Sequence, residues 1–244
     1  MHFPAKYEEI LKRIGKVDPK DYARTRNFTD GDVTCLSPYI SRGVISVKQV
    51  AEAMFVRGYT FSEMEKFIQQ LAWREYFQRS WQQLEDDMFD DIRRSNSGIR
   101  HRRLHKAIVE AATGIESVDK AIHQLYETGY LHNHLRMYVA SIACNIGKAD
   151  WQLPSQWMYY HLLDGDLASN ICSWQWVAGS FSSKKYYCNQ ENINCYTCSD
   201  QRNTFLDKSY QELTIMEVPP ALEETISLSL LTPIPRFERP LSLN

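Results

Sequence analysis

LLDGDLASNICSWQWVAG, residues 162–179, sets two carboxylates, a carboxamide and two indoles close together. Asp164 and Asp166 can accept hydrogen bonds from the polar edge of a ring, Asn170 can donate and accept, and Trp174 and Trp176 offer flat, oxidisable surfaces. Each part also has a plainer reading: aspartate suits the positive end of a helix, so DGD can be a helix start, and WQW can be core. A second segment tips the balance. In TGYLHNHLRMYVAS, residues 128–141, Asn133, Arg136 and Met137 stand at i, i+3 and i+4 and share one helix face. In QLAWREYF, residues 70–77, Gln70, Trp73 and Arg74 share another. In TCLSPYI, residues 34–40, Thr34 and Ser37 bring hydroxyls to a turn before Pro38, a place suited to phosphate oxygens.

These four segments, in this order, resemble the flavin-binding helical domain of the photolyase/cryptochrome family, over roughly residues 22–179. The resemblance implies an all-α helical bundle holding FAD. It implies FAD contacts at Tyr22, Thr34, Cys35, Leu36, Ser37, Phe67, Gln70, Arg74, Tyr130, Asn133, Arg136, Asp164, Asp166, Asn170 and Trp174. Asn170 matches the position facing the flavin N5, where an amide steadies the reduced ring without imposing a charge. Trp174 and Trp151 match the first two tryptophans of the family's photoreduction chain; the third has no match, since no Trp lies between Gln82 and Asp150. Gln70, Asn133, Asn170, Trp151 and Trp174 are therefore the expected catalytic set. Arg26, Trp73, His134, Met137 and Trp176 match positions at the lesion or the DNA.

Three departures matter. Gln70 stands where relatives that repair cyclobutane pyrimidine dimers carry Glu. His134 replaces an arginine, and Asn170-Ile-Cys-Ser-Trp174 replaces the usual Asn-Asn-Gly-Gly-Trp. Relatives that repair the (6-4) photoproduct need histidines where this chain has Asn133 and Met137, so the cyclobutane dimer is the expected lesion. The family's N-terminal antenna domain has no match in the chain, so no antenna chromophore is expected on it.

With 244 residues, 43% hydrophobic, the chain can bury a sizeable core. A net charge of −2 gives no global pull toward nucleic acid, so any DNA affinity must be local. The sharpest local feature is the run from Arg93 to Lys106, with six Arg and Lys side chains. Arg100, Arg102 and Arg103 are its expected phosphate contacts. No apolar run reaches membrane length and the N-terminus lacks a signal-peptide core, which reads as a cytoplasmic protein with no membrane partner. The six cysteines, at 35, 144, 172, 188, 195 and 198, read as reduced thiols. Cys195 and Cys198 have ligand spacing, but a cluster would need more ligands than are at hand, so no metal is expected.

Apolar spacing predicts helices over 3–14, 46–57, 61–84, 104–112, 118–127, 131–146, 155–163 and 167–178, with loops at 18–19 and 27–31. No alternating strand pattern is found. The expected organisation is a helical FAD-binding domain at 1–183 and a partly irregular C-terminal extension at 184–244, in a monomer. The function expected from the resemblance is light-driven, FAD-dependent repair of pyrimidine dimers, favouring single-stranded DNA. The alternative is a cryptochrome-like blue-light sensor that signals through a partner.

Overall fold

The computed structural model describes residues 2–95 and 98–228. The N-terminal third is built from α1 (Tyr7–Gly15), α2 (Pro19–Thr25), α3 (Ser37–Ser41) and α4 (Val47–Val56). Asp18-Pro19, read as a loop, instead opens α2: the Asp18 carboxylate accepts the Lys20 and Asp21 N–H groups, and Pro19 needs no partner there. The long α5 (Phe61–Leu84) has the predicted bounds, because Thr60 and Glu63 form a reciprocal capping box. Val50, Met54, Met64, Phe67, Leu36 and Tyr39 form one buried cluster. Helix α5 runs on from it to pack against the second, larger half.

The larger half corrects one predicted helix. Residues 104–112 form a two-residue strand, β1 (Leu104–His105), and a single turn, α6 (Lys106–Val109). The reason is distant in sequence: β1 pairs antiparallel with β2 (Thr225–Ile226), and His105 is buried with its ring between the carbonyls of Leu222 (2.6 Å) and Ala143 (3.2 Å). Gly147 is obligatory beneath that ring, since a Cβ there would lie 2.1 Å from His105 Nε2.

Then come α7 (Glu116–Thr128), α8 (Asn133–Ser141), a π-turn at Ile142–Ile146, α9 (Gln152–His161) and α10 (Leu167–Ala178). Gly129 closes α7 in the left-handed conformation (φ 68), where Leu163 of the next motif packs on its Cα and donates its N–H to the Gly129 carbonyl at 2.7 Å. That contact brings the 128–141 and 162–179 segments together. Helices α11 (Gln190–Thr197) and α12 (Tyr210–Ile215) follow. Cys188, Ile193, Leu206, Leu213 and Leu222 are buried in the same cluster as Trp151, Trp157 and Trp174. The described part of the extension, to 228, thus shares the core; the rest of it, 229–244, lies outside the described residues.

Candidate functional site

The centre of the site is the turn entering α10. Asp166 caps the helix, its carboxylate accepting the Ser169 N–H at 2.8 Å. Arg74 of α5 reaches the same carboxylate at 2.6 Å, and Gln78, one turn later on α5, donates to it at 2.6 Å. Burial pushes the Asp166 pKa up, but the Ser169 hydrogen bonds and the Arg74 charge outweigh it and hold the carboxyl below its ordinary value. Two residues earlier, Asp164 takes both its oxygens to the Arg136 guanidinium of α8, at 2.9 and 2.8 Å. Arg136 Nε is fixed in turn by the Leu131 carbonyl. Asp164 is almost wholly buried, with its side chain 3% exposed.

The 34–40 segment closes on this centre. Cys35 lies at φ 50, its carbonyl held by Arg13, and its thiol, raised in pKa by burial, bonds to Tyr130 and lies near enough to feel the Asp164 charge. Burial likewise raises the Tyr130 hydroxyl. Arg42 donates to the Leu163 carbonyl at 3.1 Å. Thr34 Oγ1 accepts the Leu36 N–H, Leu36 is buried, and Ser37 is exposed at the start of α3. Tyr22 packs edge-on to buried Phe67, so Phe67 supports Tyr22 as core.

Three sequence-predicted sets thus meet: Arg74 from α5, Arg136 from α8, and Asp164 with Asp166 before α10. Gln78 and Arg13 had not been singled out. Gln78 sits four residues after Arg74 on one helix, a spacing that could have found it; nothing local marks Arg13. Asn170 donates to the Ser155 carbonyl (3.0 Å) and lines a cavity of about 330 Å³ with Trp151, Phe89 and Tyr159. Trp174 is buried, and Trp151 is buried with its indole N–H on Asp91. Gln70 and Met137 are half-buried, Asn133 is exposed, and Trp73 and Trp176 are 50% and 41% exposed.

Two groups sit differently from expectation. His134, expected at the DNA, is buried with its ring 4.5 Å from Tyr196 and Nδ1 on the Asn27 carbonyl, so it presents no cation to a phosphate. The basic run is largely spoken for: Arg100 pairs with Glu217, Arg102 with Asp150 and Lys106 with Glu224, while Arg103 donates to the Thr225 carbonyl. It clasps the 217–226 segment. Among the described residues, no three His, Cys, Asp or Glu side chains are grouped to hold a metal, and no helix is long and apolar enough to cross a membrane.

Residues 67–219 match the family model described as the FAD binding domain of DNA photolyase. The chain belongs to this family. A deoxyribodipyrimidine photo-lyase from Synechococcus is 34% identical over 170 residues, 66% of this chain and 35% of that protein; one from Agrobacterium fabrum is 32% identical over 167, again 66% and 35%. The chain therefore spans about a third of these relatives. A class III photolyase from Agrobacterium tumefaciens superposes with a TM-score of 0.62 at 28% identity, over 71% of this chain and 38% of that one. A cryptochrome from Synechocystis gives 0.71 at 23% identity, over 80% and 44%, a likeness of fold.

The residues present suit the family's cofactor, FAD. Two carboxylates can accept from ring N–H and ribityl hydroxyl groups, and two guanidiniums can face a pyrophosphate. The buried Tyr39 hydroxyl, on the 34–40 segment, has no hydrogen-bond partner. Ile40 of the same segment, with Gly43, Ile45 and Gln49, lines a cavity of about 290 Å³ that reaches Arg74.

Proposed function

We propose that the protein carries out light-driven, FAD-dependent repair of cyclobutane pyrimidine dimers in DNA, favouring single strands. The observation that carries this reading is the paired arrangement of Arg74–Asp166 and Arg136–Asp164, drawn from three separate segments onto one turn. Bound FAD, once reduced, supplies the photoexcited electron that splits the dimer. The chain's part is to bind, orient and exclude water. Arg74, Arg136, Asp164 and Asp166 hold the cofactor's polar groups, with Thr34, Cys35, Leu36, Ser37, Tyr22 and Tyr130 around it. Asn170 serves the ring edge, and Trp174 and Trp151 feed electrons inward. Trp73 and Trp176 offer exposed indoles to stack on extruded bases, and Asn133, Met137, Gln70 and Arg26 border the lesion.

The single-strand preference rests on energetics: extruding a dimer costs a few kcal/mol, least where the base is already unpaired. The test is to illuminate the purified, FAD-loaded, reduced protein with single-stranded and duplex oligonucleotides holding one defined lesion. The expected result is dimer splitting on the single strand, little on duplex, and none of the (6-4) product. Light-driven repair of the (6-4) lesion would overturn the lesion assignment. No repair of either lesion by FAD-loaded protein would favour the light-sensor reading, and protein that neither releases nor rebinds FAD would defeat both.

A further inference from the structure

Cys195 and Cys198, marked in the sequence by their spacing, take no part in the site. Both thiols are exposed, and among the described residues neither belongs to a group of side chains able to hold a metal. Cys144, Cys172 and Cys188, by contrast, are enclosed in the core, where burial pushes each thiol up. Cys195 lies in the last turn of α11, and Cys198 caps that helix in left-handed backbone (φ 53), its N–H on the Asn194 carbonyl. Side chains three apart on a helix have Cβ atoms about 5–6 Å apart. A disulfide spans about 3.5–4.5 Å, so a small closure would join them. Cys198 stands beyond the last helical residue and can supply that closure without unwinding α11. Its S–H now points to the Asp30 carboxylate, with Sγ 3.7 and 3.8 Å from the two oxygens. Desolvation, then the Asp30 charge, hold this thiol above its ordinary pKa, and Cys195 is near enough to add to the effect. The two residues between the thiols carry the contact of α11 with the loop after α2. The Tyr196 carbonyl accepts the Thr29 N–H at 2.9 Å, and its ring lies 5.1 Å from Phe28 and 4.5 Å from His134. Thr197 Oγ1 is 2.9 Å from the Ser117 hydroxyl of α7.

We propose that Cys195 and Cys198 form a reversible thiol–disulfide couple, a modification site for small disulfides such as oxidised glutathione, whose closure loosens the 27–30 loop from α11. An exposed cysteine beside a resolving partner is the arrangement that thiol sensors use. The thiolate is the attacking form, and the Asp30 carboxylate keeps Cys198 protonated, so Cys195 attacks first. Cys195 gives its proton to water and bonds to one sulfur of the oxidant; that S–S bond breaks, and one glutathione leaves as a thiolate and is protonated. Cys198 then passes its proton to water and attacks the Cys195 sulfur, and the second glutathione leaves in the same way. Two thiols have lost two electrons and two protons, and one glutathione disulfide has become two glutathiones. Strong oxidants of this kind owe their strength to a stabilised reduced form. Here the negative end of α11 and Asp30 give a thiolate no such support, so the bridge persists until an added thiol reduces it. The ring it closes contains Tyr196 and Thr197, and it takes from Asp30 its S–H donor; both changes fall on the 27–30 loop.

The test is mass spectrometry of the full wild-type chain, reduced, equilibrated at rising ratios of oxidised to reduced glutathione, then alkylated under denaturing conditions. The expected product is two hydrogens lighter, with a Cys195–Cys198 bridge in the tryptic peptide 186–202, and dithiothreitol should reverse it. It should form before Cys144, Cys172 or Cys188 escapes alkylation. Hydrogen exchange of the same samples should show the Thr29 amide exchanging about two- to tenfold faster in the bridged form, the worth of its one hydrogen bond, with α5 unchanged. Cys198→Ser should stop at a glutathione adduct on Cys195. Cys195→Ser should take up glutathione more slowly than Cys198→Ser, and adding Asp30→Asn should speed it. Separate adducts on both cysteines of wild type without a bridge, or no reaction before the protein unfolds, would overturn the couple. A bridge that leaves Thr29 exchange unchanged would overturn the loosening of the loop. The two wild-type measurements decide the matter even where a variant fails to fold.

Discussion

Arginines do opposite jobs in two regions of this molecule. At the turn before α10, Arg136 and Arg74 are each 23% exposed and meet carboxylates exposed by only 3% and 12%. In the 100–106 run, Arg100 and Arg102 are 54% and 81% exposed, and Arg100 holds a carboxylate, Glu217, that is itself 80% exposed. The first pairs are taken out of water and fixed from several directions, so removing one partner strands a buried charge. The second are open to solvent and screened by salt, so they contribute little however many there are. Charge counted along the sequence says nothing of this difference; burial decides it.

The largest expected effect follows from Asp164. Arg136→Ala leaves its carboxylate buried and unpaired and should destabilise the fold by about 3–5 kcal/mol. The double variant Arg136→Met, Asp164→Leu should be clearly more stable than that single one, because it removes the stranded charge as well as its partner. Both should fail to retain FAD. Urea unfolding and FAD release measure the two halves separately. A single variant as stable as wild type would erase the distinction between the two regions.

Next is the histidine beside that pair. Burial, then the neighbouring His134 ring and the Arg136 charge, push the His132 pKa down from 6.5 to about 4, and its Nε2 has no hydrogen-bond partner. The unfolded chain then binds the proton first as pH falls. Stability is full above about 6.5 and is lost on acidification toward 4, by about 3 kcal/mol from this group. His132→Asn keeps an acceptor for the His134 N–H at the start of α8 but cannot titrate, so its stability should vary less between pH 7 and 4.5. Parallel pH curves for the two proteins would show that His132 is not the cause.

These contrasts also show what was legible in the sequence. The bounds of α5 and α10 could be read because Thr60 with Glu63, and Asp166, announce helix starts locally. The helix expected over 104–112 failed because Leu104, Ile108 and Ala112 do recur at helical spacing, while the partner that converts Leu104–His105 to strand lies about 120 residues on, at Thr225–Ile226. The basic run misled in the same way, since Glu217 and Glu224 are just as remote. The candidate site was legible through four resembling segments, two of them with their polar residues on one helix face. What it lacked was the pairing: that Asp164 takes Arg136 and Asp166 takes Arg74 is a property of how α5, α8 and α10 cross.

A smaller effect is expected at Gln70, the neutral member of the α5 face. A carboxamide costs less to bury than a carboxylate and can still donate to a pyrimidine carbonyl. Gln70→Glu should change dimer repair by no more than one hydrogen bond's worth, about 0.5–1.5 kcal/mol, in either direction. Single-turnover repair measures it; a larger change would show that a charge at 70, and not a hydrogen bond, governs the lesion.

The smallest expected effect is at the surface end of the comparison. Arg100→Gln breaks the pair with Glu217, and Arg102→Gln the pair with Asp150. The first pair is exposed on both sides and should cost less than about 1 kcal/mol, fading further at 0.5 M salt. The second differs in one respect: Asp150 is buried to 6%, and its carboxylate also accepts the Gln152 N–H before α9. Arg102→Gln should therefore cost more than Arg100→Gln while staying well below Arg136→Ala, because Arg102 itself remains 81% in water and solvent already shares its role. Denaturation of the three variants at low and high salt ranks them directly. The order Arg136, Arg102, Arg100, with salt sensitivity running the other way, is what burial requires; an Arg100 variant as costly as Arg136→Ala would mean that the 217–226 clasp matters as much to the larger half as the paired charges at the turn before α10.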